Sequence, residues 1–465
     1  MVAATDPELF TIGVTFIVAA GIVAVIAYFA ARRWDINPQS KTSSTTNDDS
    51  SSESKEESKS NGTTSTTTTA KSKKKDKWQP DKVKDAQYDH PWLLTTLKGH
   101  TDRILDFDFA SNGKTLVSCA EDRSLMLWNL KDFAEKEHKS TRGSVDLDHS
   151  RLVKFAPDSK SIILALAVTN KVGVYKLARR EDGGNRVKFQ PVDSVEFPEK
   201  HVRDIVSIGI ACSGKFLMSA SSDNTLVVYD LHGDILKTIE TKLNTLHRAL
   251  VSPCGRFIAA SGFTPDVVVW EVSFDKGGTF KGANKAFELK GHTSGVYAFD
   301  FNQNSSRAVT ASKDGSWKLF DTDIRYQQGE EAHEIMSGQW ELLRSAHPES
   351  VFAAMAPSGD SFAIGANRHV RVYSAMKAVG DFEPLFDVHS EQLTSLKFSS
   401  CGRFFATAGD KYIRVFHNIP GYKSAIEALK EAIKAASSDA QKRRLIEQLE
   451  EEKAKFAAVL NENSK

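Results

Sequence analysis

Cysteine is scarce in this chain, with four residues, Cys119, Cys212, Cys254 and Cys401, among 465. So few exclude an extracellular disulfide framework and fit a reducing compartment better. An excess of charge of one sign is missing too. Lys plus Arg number 61 against 60 for Asp plus Glu, so the whole molecule has no field that would gather nucleic acid or an anionic surface, and any such affinity must sit in local patches. No Cys-x-x-Cys, His-x-x-x-His or Asp-rich calcium loop occurs, and no bound metal is expected. Gly183-Gly184 and Gly277-Gly278 lack the lysine of a phosphate-binding loop, so neither cofactor nor nucleotide is expected. Apolar side chains are plentiful, at 40% of the residues, enough for the core of one large domain with appendages.

The longest uncharged apolar run is 9–31, 23 residues in all, and about 20 such residues cross a hydrocarbon core. A single transmembrane helix is predicted there, after a short N-terminal tail, 1–8. A cleaved signal peptide would instead show a basic start and a shorter apolar stretch, whereas Asp6 and Glu8 precede this one. Arg32 and Arg33 follow it, and Lys71, Lys73, Lys74, Lys75 and Lys77 lie further on, which places the C-terminal side in the cytosol by the positive-inside rule. Segment 32–89 is predicted to be a disordered tether: between Ser40 and Ser72, 20 of 33 residues are Ser or Thr, with too little apolar surface to offset the entropy of ordering. Its lysines could touch lipid or RNA, but lone Trp78 gives no aromatic interleaving for base stacking.

The body repeats itself. The stretch from Leu97, LKGHTDRILDFDFASNGKTLVSCAEDRSLMLWNL, returns from Leu289 as LKGHTSGVYAFDFNQNSSRAVTASKDGSWKLFDT, and again from Lys200 as KHVRDIVSIGIACSGKFLMSASSDNTLVVYDL. Each unit steps by 18, 4 and 6 residues from His to hydroxyl to Asp to aromatic: His100, Ser118, Asp122, Trp128; His201, Ser219, Asp223, Tyr229; His292, Thr310, Asp314, Phe320. Weaker units end in VGVY, VVVW, VRVY and IRVF at Tyr175, Trp270, Tyr373 and Phe416. Three plus four units make seven, with period-two alternation inside each strand.

Gly99-His100, Gly291-His292 and the endings Trp128-Asn129, Tyr229-Asp230 and Phe320-Asp321 resemble the Gly-His and Trp-Asp marks of WD-repeat proteins. The resemblance spans about 91–418 and implies an all-β, seven-bladed WD-repeat β-propeller over 90–419. In this family a leading strand completes the last blade, so 92–97 is expected to pair beside 412–416, removing an open edge. The layout of anchor, linker and propeller is closer still to one member, a likeness that implies endoplasmic-reticulum residence and a scaffold role in stress or translation signalling, with a signalling kinase or the translation machinery among the protein partners.

His, Ser and Asp are also the residue types of a hydrolase triad. A catalytic trio is needed once, however, and this one recurs at fixed spacing. The family resemblance assigns these residues to structural tetrads in which Asp accepts from His, His from the hydroxyl and the hydroxyl from the indole, leaving no catalytic residue and no enzyme. Tyr229 and Phe320, lacking the indole, are expected to shorten the chain of bonds. Cys254 and Cys401 stand in matching phrases, SPCGRF and SSCGRF, at turns too far apart to bridge. After Pro420 two helices separated by 437–439 form a tail, 420–465, which either packs on the propeller or binds a partner. Insertions at 176–198, 274–289 and 323–345 are the expected partner contacts. The reading is a membrane-anchored, cytosol-facing protein-interaction scaffold. Two alternatives stand beside it: an RNA- or ribosome-binding adaptor, and a lumenal sensor or glycan binder, for which Asn61 and Asn304 would be glycosylation sites.

Overall fold

A computed structural model describes residues 88–135, 137–179, 187–376 and 382–462. The expected span at 9–31 and all but the last two residues of the expected tether at 32–89 lie outside the described residues. Among the described residues no helix is long and apolar enough to cross a membrane.

Seven four-stranded antiparallel sheets follow one another along 93–417. Each begins with an innermost strand and steps outward by hairpins, as short strands rich in Val, Ile, Phe and Thr favour. Blade 1 comprises Ile104–Phe109, Thr115–Ala120, Ser124–Asn129 and Ser140–Ser144. Blades 2 to 6 start at Ser150, Ile205, Leu246, Val296 and Val351. Blade 7 takes three strands from the end of the propeller, Ser395–Phe398, Phe404–Ala408 and Tyr412–His417, and its outer strand, Leu93–Lys98, from the beginning. Leu97 faces Ile413 and Lys98 faces Tyr412 in that pairing, so the ring closes on hydrogen bonds between its two ends, as expected.

Buried side chains form seven clusters, one at each junction between blades. The closing junction holds Leu97, Phe107, Trp128 and Val415 together. The first two strands of every blade are joined by one turn, repeated seven times. Its fourth residue has positive φ at Gly113, Ser159, Gly214, Gly255, Ser305, Gly359 and Gly402, and donates its N–H to the carbonyl of the first, as Gly255 does to Ser252 at 2.8 Å. The two matching Cys-Gly-Arg-Phe phrases are therefore two of seven equivalent turns. Their cysteines are free thiols.

The tail forms α1, Ile419–Ala435, and α2, Asp439–Glu462. Asn418 caps α1 by accepting from Gly421 N–H. Ile419, Tyr422 and Val459 enter the cluster between blades 6 and 7, Ser424 Oγ meets Ser374 Oγ at 2.8 Å, and Tyr422 stacks on Phe456. Of the two roles left open by the sequence, packing against the propeller is what these residues do. Each predicted insertion contains its blade's outer strand, Val187–Pro191, Phe280–Leu289 and His333–Gln339, because each blade needs a fourth strand to cover its third.

Candidate functional site

Two kinds of polar assembly stand out: networks that tie loops together on one face, and the charged lining of the central channel.

In blade 1 the hydrogen-bond chain is complete. Trp128 Nε1–H donates to Ser118 Oγ at 2.9 Å, and Ser118 Oγ lies 2.8 Å from His100 Nε2. Since the indole can only donate, the serine proton goes to the histidine, which then carries its own proton on Nδ1. From Nδ1 the nearest acceptor is Ser124 Oγ at 3.0 Å, with both Asp122 oxygens at 3.3 Å. Ser124 passes the chain on to Asp122 Oδ1 at 2.5 Å. Asp122 also accepts from the N–H groups of Thr101 and Ser124 and from Arg142. Burial alone would raise its pKa, but these hydrogen bonds bring it down to about 2. Burial likewise pushes His100 below its ordinary value.

Blades 3 and 5 repeat the arrangement. His201 Nε2 lies 2.6 Å from Ser219 Oγ, and Nδ1 lies 2.8 Å from Thr225 Oγ1, which donates to Asp223. Tyr229 does not shorten the chain as the sequence suggested: its hydroxyl reaches Ser219 Oγ at 3.2 Å. His292 contacts Thr310 at 2.7 Å, Ser316 at 2.9 Å and Asp314 at 3.3 Å, while Phe320 brings no polar atom. The hydroxyls Ser118, Ser219 and Thr310 are all 0% exposed; a nucleophile so sealed cannot be reached by substrate.

Sequence reasoning missed the bridging hydroxyl, although it was legible as Asp-x-Ser or Asp-x-Thr in all three units: Asp122 with Ser124, Asp223 with Thr225, Asp314 with Ser316. It also missed a fourth network. In blade 7, His389 Nε2 lies 2.9 Å from Thr407 Oγ1, and Nδ1 lies 3.0 Å from Asp410 and 2.6 Å from Arg414 Nη1. Nδ1 thus faces both a donor, Arg414 Nη1, and an acceptor, Asp410, where in blade 1 it faces acceptors alone. The step from hydroxyl to Asp is three residues rather than four, which hid the unit. Burial would raise the Asp410 pKa, but His389 and Arg414 hold it far below the usual carboxylate range.

Side chains of the innermost strands latch neighbouring blades. Asp106 accepts from Val153 N–H at 3.2 Å, Asp108 from Phe155 N–H at 2.9 Å, and Asp300 from Met355 N–H at 2.8 Å; Ser207 Oγ does the same for Ala249 N–H at 3.0 Å. Lys397 reaches Asp106 at 2.9 Å. No cation among the described residues lies within ion-pair distance of Asp300, and burial lifts its pKa to about 6 against the N–H groups of Met355 and Phe301 and the more distant charges of Lys154 and Lys397. No cluster of metal-ligating side chains occurs among the described residues.

The loops on the network face carry exposed apolar side chains: Leu147 at 93%, Val168 at 72%, Val202 at 90%, Phe263 and Phe386. The first three are held in place from below. Asp148 accepts from Val168 N–H and Thr169 N–H, and Asn170 bonds the Arg203 carbonyl and Ile205 N–H. Leu147 itself sits at φ 60°, an unusual conformation for a bulky residue.

The family model for the WD domain, G-beta repeat, matches residues 91–129, 193–230, 284–321 and 381–417. The chain is 42% identical over 371 residues to transducin beta-like protein 2 of Homo sapiens, covering 79% of this chain and 81% of that one. It is 40% identical over 370 residues to the Mus musculus protein of the same name, covering 79% and 82%. A more distant likeness, 26% identity over 184 residues, covers 39% of this chain and 29% of nuclear distribution protein PAC1 from Arthroderma benhamiae.

Proposed function

Because the chain belongs to the WD-repeat family of transducin beta-like protein 2, we propose that it is a non-enzymatic protein-interaction scaffold, held at the endoplasmic-reticulum membrane by 9–31 with its propeller in the cytosol. Stress or translation signalling is the proposed setting. The observation that carries the scaffold reading is the pairing of sealed polar networks with apolar side chains exposed on the same face. The His, Ser and Asp groups that could do chemistry are consumed in holding loops. What those loops offer to solvent is surface for a partner.

The anchor reading is supported by 23 uncharged residues followed by Arg32-Arg33. Held to a membrane by a tether with a reach of about 40 Å, the propeller meets membrane-associated partners at raised local concentration, and individual contacts need not be tight. The test has two parts. Protease added to sealed microsomes digests the propeller if it faces the cytosol; protection, or glycan on Asn304, overturns the orientation. Proximity labelling from the propeller is then compared between wild type and Leu147→Asp/Val202→Asp. Loss of a defined set of proteins in the variant is the expected result, and an unchanged set rules this face out.

A further inference from the structure

The innermost strands enclose a channel with a cavity of about 430 Å³. Six charged side chains line it, and four of them neutralise one another: Lys397 with Asp106 and Asp108 at 2.9 and 3.4 Å, and Lys154 with Asp108 at 3.5 Å. Asp300 is held by two backbone N–H groups.

Arg248 is the exception. No carboxylate among the described residues lies within ion-pair distance of its guanidinium. It reaches from blade 4 to blade 6, donating only a long 3.4 Å bond to the Val351 carbonyl and lying 4.2 Å over the Phe352 ring. At the matching position of the blade between stands Ala298, too small to engage it. An arginine held by one weak bond keeps most of its donor fork free.

His247, next to Arg248, packs against Tyr297 at 5.4 Å. Burial lowers its pKa, and the charges of Arg248, His347 and Lys313 lower it further. The carboxylates that act on Arg248 are Asp106 and Glu349. Asp106 is held by Lys397, and Glu349 lies 3.9 Å from Arg151.

We propose that this side of the channel binds a phosphate-class dianion, with Arg248, whose donor fork is unpaired by any carboxylate, as the anchor. The size of the cavity suits a small oxyanion or one phosphate of a larger molecule. This site is independent of the partner surface proposed above.

The full-length chain in detergent is titrated by calorimetry and thermal melting with inorganic phosphate, and separately with inositol hexakisphosphate, at ionic strength fixed with sodium chloride. Saturable binding of either, weakened about tenfold or more in Arg248→Gln, is expected, since a bidentate charge-assisted grip is lost. Arg248→Lys, which keeps the charge but loses the planar fork, weakens binding about two- to fivefold and keeps the test valid should Arg248→Gln not fold. Response to inorganic phosphate identifies a free anion; response to the inositol polyphosphate alone identifies a headgroup-type ligand. Failure of both to bind, or binding unchanged in every variant that folds, overturns the site.

Discussion

Blades 1, 3, 5 and 7 solve a problem in one way, and blades 2, 4 and 6 solve it in three others. Every blade must tie the loop entering its innermost strand to the turn between its second and third strands. The odd blades do so with a histidine on the loop and an aspartate on the turn. Blade 2 reverses the polarity: Asp148 sits on the loop and accepts from Val168 and Thr169 on the turn. Blade 6 uses Ser350 with Asn367. Blade 4 uses backbone alone, Phe263 N–H bonding the Leu243 and Thr245 carbonyls, with Gly262 so close that a β-carbon would stand 2.2 Å from the Thr245 oxygen. The family model matches the odd blades and passes over the even ones. A repeat signature therefore detects one chemical solution to a geometric requirement that all seven blades meet.

The sharpest way to break this comparison is in blade 7, where Asp410 and Arg414 are both nearly buried. Asp410→Ala strands a buried guanidinium and should cost about 3–5 kcal/mol, read by denaturant unfolding. Asp122→Ala, which removes an acceptor from a network that keeps its histidine neutral, should cost about 1–3 kcal/mol. In blade 4, whose loops are joined by backbone, Asp266 is raised in pKa by burial and by Glu288, and Asp266→Ala should cost nothing measurable. Equal losses at Asp122 and Asp266 would show that the odd-blade networks contribute no special stability.

Acid separates the two sets of blades through the histidines. Burial lowers the pKa of His100, His201, His292 and His389. Below about pH 6.5 the unfolded chain takes up protons that the folded networks refuse, so this stability is complete above that pH and drains away as pH falls, at up to about 1.4 kcal/mol per unit for each histidine. Asp122 and Asp314, held at about 2, contribute above their unfolded pKa and lose that contribution only in stronger acid. Asp300 acts oppositely: raised to about 6, its contribution is lost as pH rises through that value. One aspartate does not offset four histidines. Unfolding free energy measured at pH 7.5 and 5.5 should fall, and His100→Gln/His292→Gln should flatten the fall; an unchanged slope would mean these imidazoles titrate freely in the fold.

Seven blades were legible because period-two runs and terminal aromatics survive in every unit, even where the polar marks do not, and the closing strand followed from the family resemblance. The repeated His, hydroxyl and Asp positions of blades 1, 3 and 5 were legible from spacing, and their bonding role was what the family resemblance implied. Blade 7 escaped because its turn is one residue shorter, a change that alters register in the sequence while Arg414 restores contact in space. The channel could not have been foreseen. Arg248, Asp300 and Lys397 sit at ordinary strand positions, and only ring closure brings blades 1 and 7 together and places residue 248 against residue 352.

The last contrast concerns the two glycines of the Gly-His marks, which look equivalent and are not. At Gly99 a β-carbon would stand 2.7 Å from Met126 Cε and 2.8 Å from Trp128 Cη2; glycine is needed there because a full indole fills the space. At Gly291 the nearest atom is 3.5 Å away, on Lys318, but φ is +114°; glycine is needed there because the backbone turns through a region closed to other residues. Both Gly99→Ala and Gly291→Ala should cost about 1–2 kcal/mol, the first by overpacking and the second by backbone strain. The double variant separates the causes. Trp128→Phe trims the ring that the added methyl group would strike, so Gly99→Ala in that background should cost about 1 kcal/mol less than in the wild type. Phe320→Leu leaves the backbone at residue 291 unchanged, so the cost of Gly291→Ala should stay the same. Equal coupling in the two blades would show that one steric cause, rather than two, accounts for both glycines.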